Sequence, residues 1–160
     1  MEITAIHHVA LVVDNLERAH DFYTGVLGLE ALPAFGFDYP TQFYRINPTQ
    51  QLHITEWPHD RPSFRGHVCL TLQSFEEAFS RCKELGIIDT APWGNPHHMP
   101  DGSMQVFIRD PSGNLIELSY RGAVDPAVLT DPLIEEGTYV SGRNDSRGGR
   151  GPNATLYHER

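Results

Sequence analysis

The sequence predicts an α+β protein built from two tandem βαβββ modules, and two observations carry the prediction. Residues 8–13, His-Val-Ala-Leu-Val-Val, match residues 67–72, His-Val-Cys-Leu-Thr-Leu, at an offset of 59. Leu52-His53-Ile54-Thr55 matches Ile116-Glu117-Leu118-Ser119 at an offset of 64. Self-similarity at one period marks a duplicated unit, and the growth in offset places the extra residues in loops. The repeat gives 1–57 as the first module, 58–65 as a Pro-rich, charged linker, 66–121 as the second module and 122–160 as a C-terminal extension.

Ile6–Val13 is a short apolar run with β-branched residues, which reads as a strand. Asp14-Asn15 ends it and can cap a helix. From Leu16 to Leu27, Leu16, Ala19, Phe22, Tyr23, Val26 and Leu27 recur at i, i+3, i+4 spacing, and Gly28 stands where a helix C-terminus wants a left-handed residue. Strands follow near Glu30–Pro33, Thr41–Ile46 and Gln51–Glu56, the last two joined by Asn47-Pro48-Thr49. In the second module the strand at His67 leads to Ser74 as a cap and to a helix over Phe75–Leu85, stopped by Gly86. Its strands are expected near Ile87–Ala91, Met104–Ile108 and Leu115–Tyr120, the last after the turn Asp110-Pro111-Ser112-Gly113-Asn114. Beyond residue 121 a short helical piece is expected near Pro126–Thr130. Residues 142–151 have the Gly- and Arg-rich composition of a flexible, solvated segment.

Composition narrows the function. A formal charge of −9 argues against nucleic acid or an anionic membrane as partner. Cys69 and Cys82 are too few and too embedded for a disulfide framework, which points to a reducing, cytoplasmic setting. No apolar run approaches membrane-spanning length, and the N-terminus lacks the pattern of a signal peptide.

The repeat also pairs polar residues. His8 answers to His67, and His53 to Glu117. Side chains alternate along a strand, so His8 shares a face with Ala10 and Val12, and His67 with Cys69 and Thr71. Likewise His53 shares a face with Thr55, and Glu117 with Ser119, each opposite its strand's large apolar residues. Two such modules paired about a local twofold axis would bring the four toward one centre. His8, His67 and Glu117 are therefore expected as ligands of one divalent metal, with His53 a possible fourth. His7 falls on the other face, while His20, His59 and His158 follow no pattern. Cys69 reads as a small pocket-wall residue.

His8-Val9-Ala10-Leu11-Val12-Val13, the helix Glu17-Arg18-Ala19-His20-Asp21-Phe22-Tyr23 with Leu27-Gly28-Leu29, and Asp110-Pro111-Ser112-Gly113-Asn114-Leu115-Ile116-Glu117 resemble the vicinal oxygen chelate superfamily. That superfamily includes glyoxalase I, extradiol dioxygenases, methylmalonyl-CoA epimerase, fosfomycin-resistance enzymes and bleomycin-binding proteins. The resemblance spans residues 5–121. It implies a curved mixed sheet around a metal-binding cup and a small-molecule substrate held through adjacent oxygens. It also implies paired modules, either within one chain or exchanged in a homodimer, and a homodimer is the expectation.

The resemblance leaves the reaction to His53. In glyoxalase-type sites the matching position supplies a fourth ligand, usually a carboxylate, and the metal would be Ni(II), Co(II) or Zn(II). In extradiol dioxygenases three residues hold Fe(II) or Mn(II), and the matching position carries an unligated acid–base histidine. His98, nineteen residues before Glu117, falls where some dioxygenases place another catalytic histidine. Phe107, ten residues before Glu117, stands where they commonly place a tyrosine, and Tyr44 is taken as its counterpart in the first module. Both, with Cys69, are expected to line the substrate. His53 and His98 put ring-cleaving dioxygenase chemistry first. A glyoxalase- or epimerase-like lyase or isomerase is the alternative, and a fosfomycin-modifying enzyme or a non-catalytic drug-binding protein comes behind.

Overall fold

A computed structural model of the chain describes residues 4–34 and 36–137. The segment 142–151 and His158 lie outside them. The described residues form two compact units, 4–68 with 109–115 and 69–108 with 116–137. The secondary structure is a mixed α+β arrangement with one four-stranded and one five-stranded sheet, the two-module pattern expected from the repeat. Among the described residues no helix is long and apolar enough to cross a membrane.

The first unit holds β1 (His8–Val13), α1 (Leu16–Gly25), β2 (Glu30–Leu32), β3 (Thr41–Asn47) and β4 (Gln50–Glu56). Its strands lie in the order β1-β4-β3-β2, with β1 parallel to β4 and the other neighbours antiparallel. Asn15 caps α1 by accepting the Arg18 N–H at 2.8 Å, as Asp/Asn-type residues do for orphan donors at a helix start. The helix stops at Gly25 with Val26 as its cap, and Gly28 takes φ +68° two residues later, so the left-handed turn falls in the exit loop. Ala19 and Tyr23 of α1 are buried with Tyr44, Leu52 and Ile54, the even-numbered face of β3 and β4.

The turn at residues 109–115 belongs to this first unit although the second repeat encodes it. Asp110 accepts the Tyr23 hydroxyl at 2.8 Å and the N–H groups of Ser112 and Asn114, while the Asn114 amide donates to the Val12 carbonyl at 2.8 Å. Ser112 adds a bond from its hydroxyl to Asp14 at 2.6 Å. Asp110 is 4% exposed, so these partners replace the water its carboxylate would otherwise hold. Burial, with Asp110 beside it, pushes the Tyr23 hydroxyl well above the ordinary tyrosine range.

The second sheet runs β5-β8-β7-β6-β9, with β5 (His67–Thr71), β6 (His97–His98), β7 (Ser103–Arg109), β8 (Leu115–Arg121) and β9 (Glu135–Glu136). Helix α2 (Phe75–Leu85) starts at the Ser74 cap and ends at Gly86, whose φ of +62° suits a residue without a β-carbon. A short helix, α3 (Pro126–Leu129), is capped by Asp125, which accepts the Ala127 N–H. Phe75, Phe79 and Cys82 are buried, as are Met104, Val106, Ile108, Ile116 and Leu118.

Two features depart from the sequence reading. Where a strand was expected at residues 87–91, only Ile88 bridges to Ile108, and the pairing with β7 moves to His97–His98. The Asp89 carboxylate accepts the Ala91 N–H and Gly94 N–H bonds Thr90, so the chain turns at 89–94 before it can extend. Beyond it, Glu135–Glu136 pairs parallel to β6 as a further strand.

Candidate functional site

His8, His53 and Phe43 form a stack across the first sheet. Parallel pairing sets Ala10 opposite His53 and His8 opposite Gln51, while antiparallel pairing sets Phe43 opposite His53. Cross-strand neighbours share a face, so all of these side chains leave the same side of the sheet, away from α1. His53 lies between its two neighbours, 4.2 Å from the His8 ring centroid at 12° and 3.8 Å from that of Phe43 at 13°. Its Nε2 lies 2.9 Å from the Gln51 side-chain oxygen. That oxygen can only accept, so Nε2 carries the proton and Nδ1 is left basic. Desolvation, then the neighbouring His8 and His7, lower the His53 pKa below the ordinary histidine value. His53 is thus a neutral imidazole at pH 7.

His8 is exposed, with Nδ1 2.9 Å from Nδ1 of His7. His67 points Nδ1 at the Arg65 carbonyl at 2.9 Å. The carbonyl accepts, so Nδ1 carries a proton, and this kind of contact orients imidazoles that bind metals.

Glu117 is the counterpart of His53 in the repeat, but its surroundings are polar. It is 5% exposed and accepts from the Gln105 side-chain amide at 2.6 Å. Cys69 also bonds it: although the residue as a whole is exposed, desolvation of its thiol, the Glu117 charge and this bond raise the thiol to about 12. Gln105 and Phe107 are two apart on β7 and share a face, so Phe107 stands on the Glu117 side, 7% exposed, with Trp93 6.3 Å away.

Two expected residues stand elsewhere. Tyr44 lies on the opposite face of β3 from His53: it is fully buried, its ring 5.6 Å from Tyr23, and its hydroxyl is 3.1 Å from His20 Nδ1. Burial and the nearby Asp21 raise that hydroxyl to about 12. The residue facing His53 is Phe43, which the sequence could have supplied, since ten residues before His53 is Phe43, just as ten before Glu117 is Phe107. His98 pairs with Met104, on the face opposite Gln105, and its Nδ1 meets Glu136 at 3.1 Å. Its neighbour His97, paired with Gln105, is the histidine on the Glu117 side.

The imidazoles of His8 and His67 and the carboxylate of Glu117 are donor types that suit a divalent first-row metal. Within neither unit do three His, Cys, Asp or Glu side chains already gather, among the described residues, into a group able to hold an ion.

Comparison with known proteins agrees with the resemblance. The family model described as Glyoxalase/Bleomycin resistance protein/Dioxygenase superfamily matches residues 5–118. Lactoylglutathione lyase from Agrobacterium tumefaciens is similar in structure, with TM-score 0.58, 27% identity, and coverage of 75% of this chain and 96% of that one. A putative glyoxalase family protein from Bacillus anthracis gives TM-score 0.62 at 23% identity, covering 76% and 98% of the respective chains. A genomically encoded fosfomycin resistance protein from Listeria monocytogenes gives 0.54 at 18%, covering 77% and 97%. A search of curated protein sequences gives no match.

Proposed function

Because the chain belongs to the Glyoxalase/Bleomycin resistance protein/Dioxygenase superfamily, we propose that it is a divalent-metal-dependent lyase or isomerase that moves a proton on a small substrate bearing adjacent oxygens. His8, His67 and Glu117 hold the metal in this reading, and His53 is the proton acceptor rather than a fourth ligand. The observation that carries it is the stacked, neutral His53 beside His8.

A divalent metal bound there would supply a Lewis acid that stabilises negative charge gathering on a substrate oxygen. The chain's own residues divide the remaining work. Phe43 and His8 fix the His53 ring from both faces, and Gln51 fixes its tautomer, so Nδ1 takes the substrate proton and can return it. Gln105 holds one carboxylate oxygen of Glu117, which orients the other. Ni(II), Co(II) and Zn(II) are the metals to try first, and a homodimer in the cytoplasm is the proposed working state.

Ring-cleaving dioxygenase chemistry is the second reading, favoured by the two-histidine, one-carboxylate set and an unligated His53. Phe107 offers that chemistry no hydroxyl, and His98 stands on the face opposite Glu117, engaged with Glu136.

The test loads the protein with Ni(II), Co(II), Zn(II), Mn(II) or Fe(II). It measures bound metal, exchange of the substrate's α-proton with solvent deuterium for hemithioacetals and acyl thioesters, and oxygen uptake with catechols. Proton exchange that His53→Ala abolishes while bound metal stays stoichiometric is the expected result. Oxygen uptake with catechols and no exchange would replace this reading by the second, and loss of metal from His53→Ala would make His53 a ligand.

A further inference from the structure

We propose that Phe37, Tyr39 and Trp57 form a binding subsite for a planar aromatic group on the substrate. The inference deepens the reading above, on which it relies only for the identity of the reacting end. Beyond β3 and β4 the ladder continues, because Glu56 N–H donates to the Pro40 carbonyl at 3.0 Å and Trp57 N–H to the Val13 carbonyl at 2.8 Å. Alternation along these strands therefore puts Tyr39 and Trp57 on the same face as Phe43 and His53.

The rings make an unbroken series of contacts away from His53. Phe43 stacks on His53, Phe37 meets Phe43 at 6.2 Å, Tyr39 stacks on Phe37 at 5.1 Å and 9°, and Trp57 meets Tyr39 edge-on at 5.4 Å. Phe37 and Trp57 are nonetheless 43% and 46% exposed, so a large apolar surface continuous with the candidate base faces solvent. Thr41 and Thr55 lie 3.3 Å from each other, and Thr41 also donates to the Ile54 carbonyl. Rings that present flat faces and edges are complementary to another ring, which gains offset-stacked or edge-on contacts and leaves water.

Benzoylformate and pyruvate test this without turnover, because both present the same adjacent oxygens and differ in the phenyl group. Their dissociation constants are measured by calorimetry on Mn(II)-loaded and on chelator-treated protein. In wild type, benzoylformate is expected to bind about tenfold tighter than pyruvate in both states, the size of one aromatic pair. Phe37→Ala and Trp57→Ala should each bring that ratio to within about threefold while leaving pyruvate's own constant unchanged. Phe37 sits in an exposed loop, so its variant folds even if the Trp57 variant does not. A ratio near one in wild type, no detectable benzoylformate binding at millimolar concentration, or a ratio that survives Phe37→Ala would overturn the proposal. A variant that alters only the oligomeric state would do the same, by showing that the rings cover a second copy of the chain. A preference retained in the chelated protein together with no metal uptake would keep the subsite and discard the metal reading.

Discussion

The last strands of the two modules place different chemistry in the same position of the repeat. On β4 that position is His53, a half-buried neutral imidazole between Phe43 and His8. On β8 it is Glu117, a buried carboxylate tied to the Gln105 amide and the Cys69 thiol. The preceding strand supplies a phenylalanine ten residues earlier in both, so the backbone template is conserved within the molecule while its polarity is not. The contrast teaches that the duplicated frame fixes where a side chain stands, and the immediate neighbours decide whether a charge can live there. An aromatic stack desolvates without offering donors, which favours an uncharged base. Amide and thiol donors give a buried carboxylate the hydrogen bonds that replace its water.

Breaking the charged side should have the larger effect. Glu117→Gln keeps the shape and removes the charge, and metal affinity measured by calorimetry should fall on the order of a thousandfold, beyond the roughly 10–100-fold typical of altering an outer-shell partner. His53→Gln should change it by less than about tenfold. Equal losses in the two variants would erase the asymmetry and make His53 a ligand.

Breaking the aromatic side should show first in stability. Phe43 is 8% exposed, and Phe43→Ala should cost about 3 kcal/mol in a urea melt, near the low end for removing a core phenylalanine. A loss below about 1 kcal/mol would mean that the ring is not part of a packed stack.

The smallest effect sharpens the comparison through pH. The folded state lowers the His53 pKa, so between that value and the ordinary value near 6.5 the unfolded chain binds more protons than the folded one. Stability from this residue is therefore complete above the unfolded value and is lost as pH falls through it toward the folded value. Wild type should lose more stability than His53→Gln between about pH 7 and 5. Identical pH profiles would show that the stack does not disfavour the imidazolium.

Much of this was legible in the chain. Periodicity placed both helices, the caps Asn15 and Ser74, and the stop at Gly86 within a residue or two. Where the site reading and the structure part, the distance is a single position. Tyr44 stands beside Phe43, and His98 beside His97, and along a strand one step moves a side chain to the other face. A spacing counted within one strand is thus reliable only when it is counted from the right residue. The strand expected at 87–91 stops after one bridge for a different reason, since Asp89, whose N–H still donates to the Phe107 carbonyl, turns the chain by accepting the Ala91 N–H on its carboxylate.

The sequence by itself determined the duplicated α+β frame and the strand positions of His8, His53, His67 and Glu117, because period-2 and period-3.6 patterns and a repeat are properties of neighbouring residues. Only the tertiary structure decided the rest. It seated the Asp110–Asn114 turn on Tyr23 and Val12 of the first unit, paired Glu135–Glu136 with β6, and sandwiched His53 between Phe43 and His8. Each of these joins groups distant in sequence, and the choice among such contacts depends on burial and on which polar groups find partners once the chain is folded.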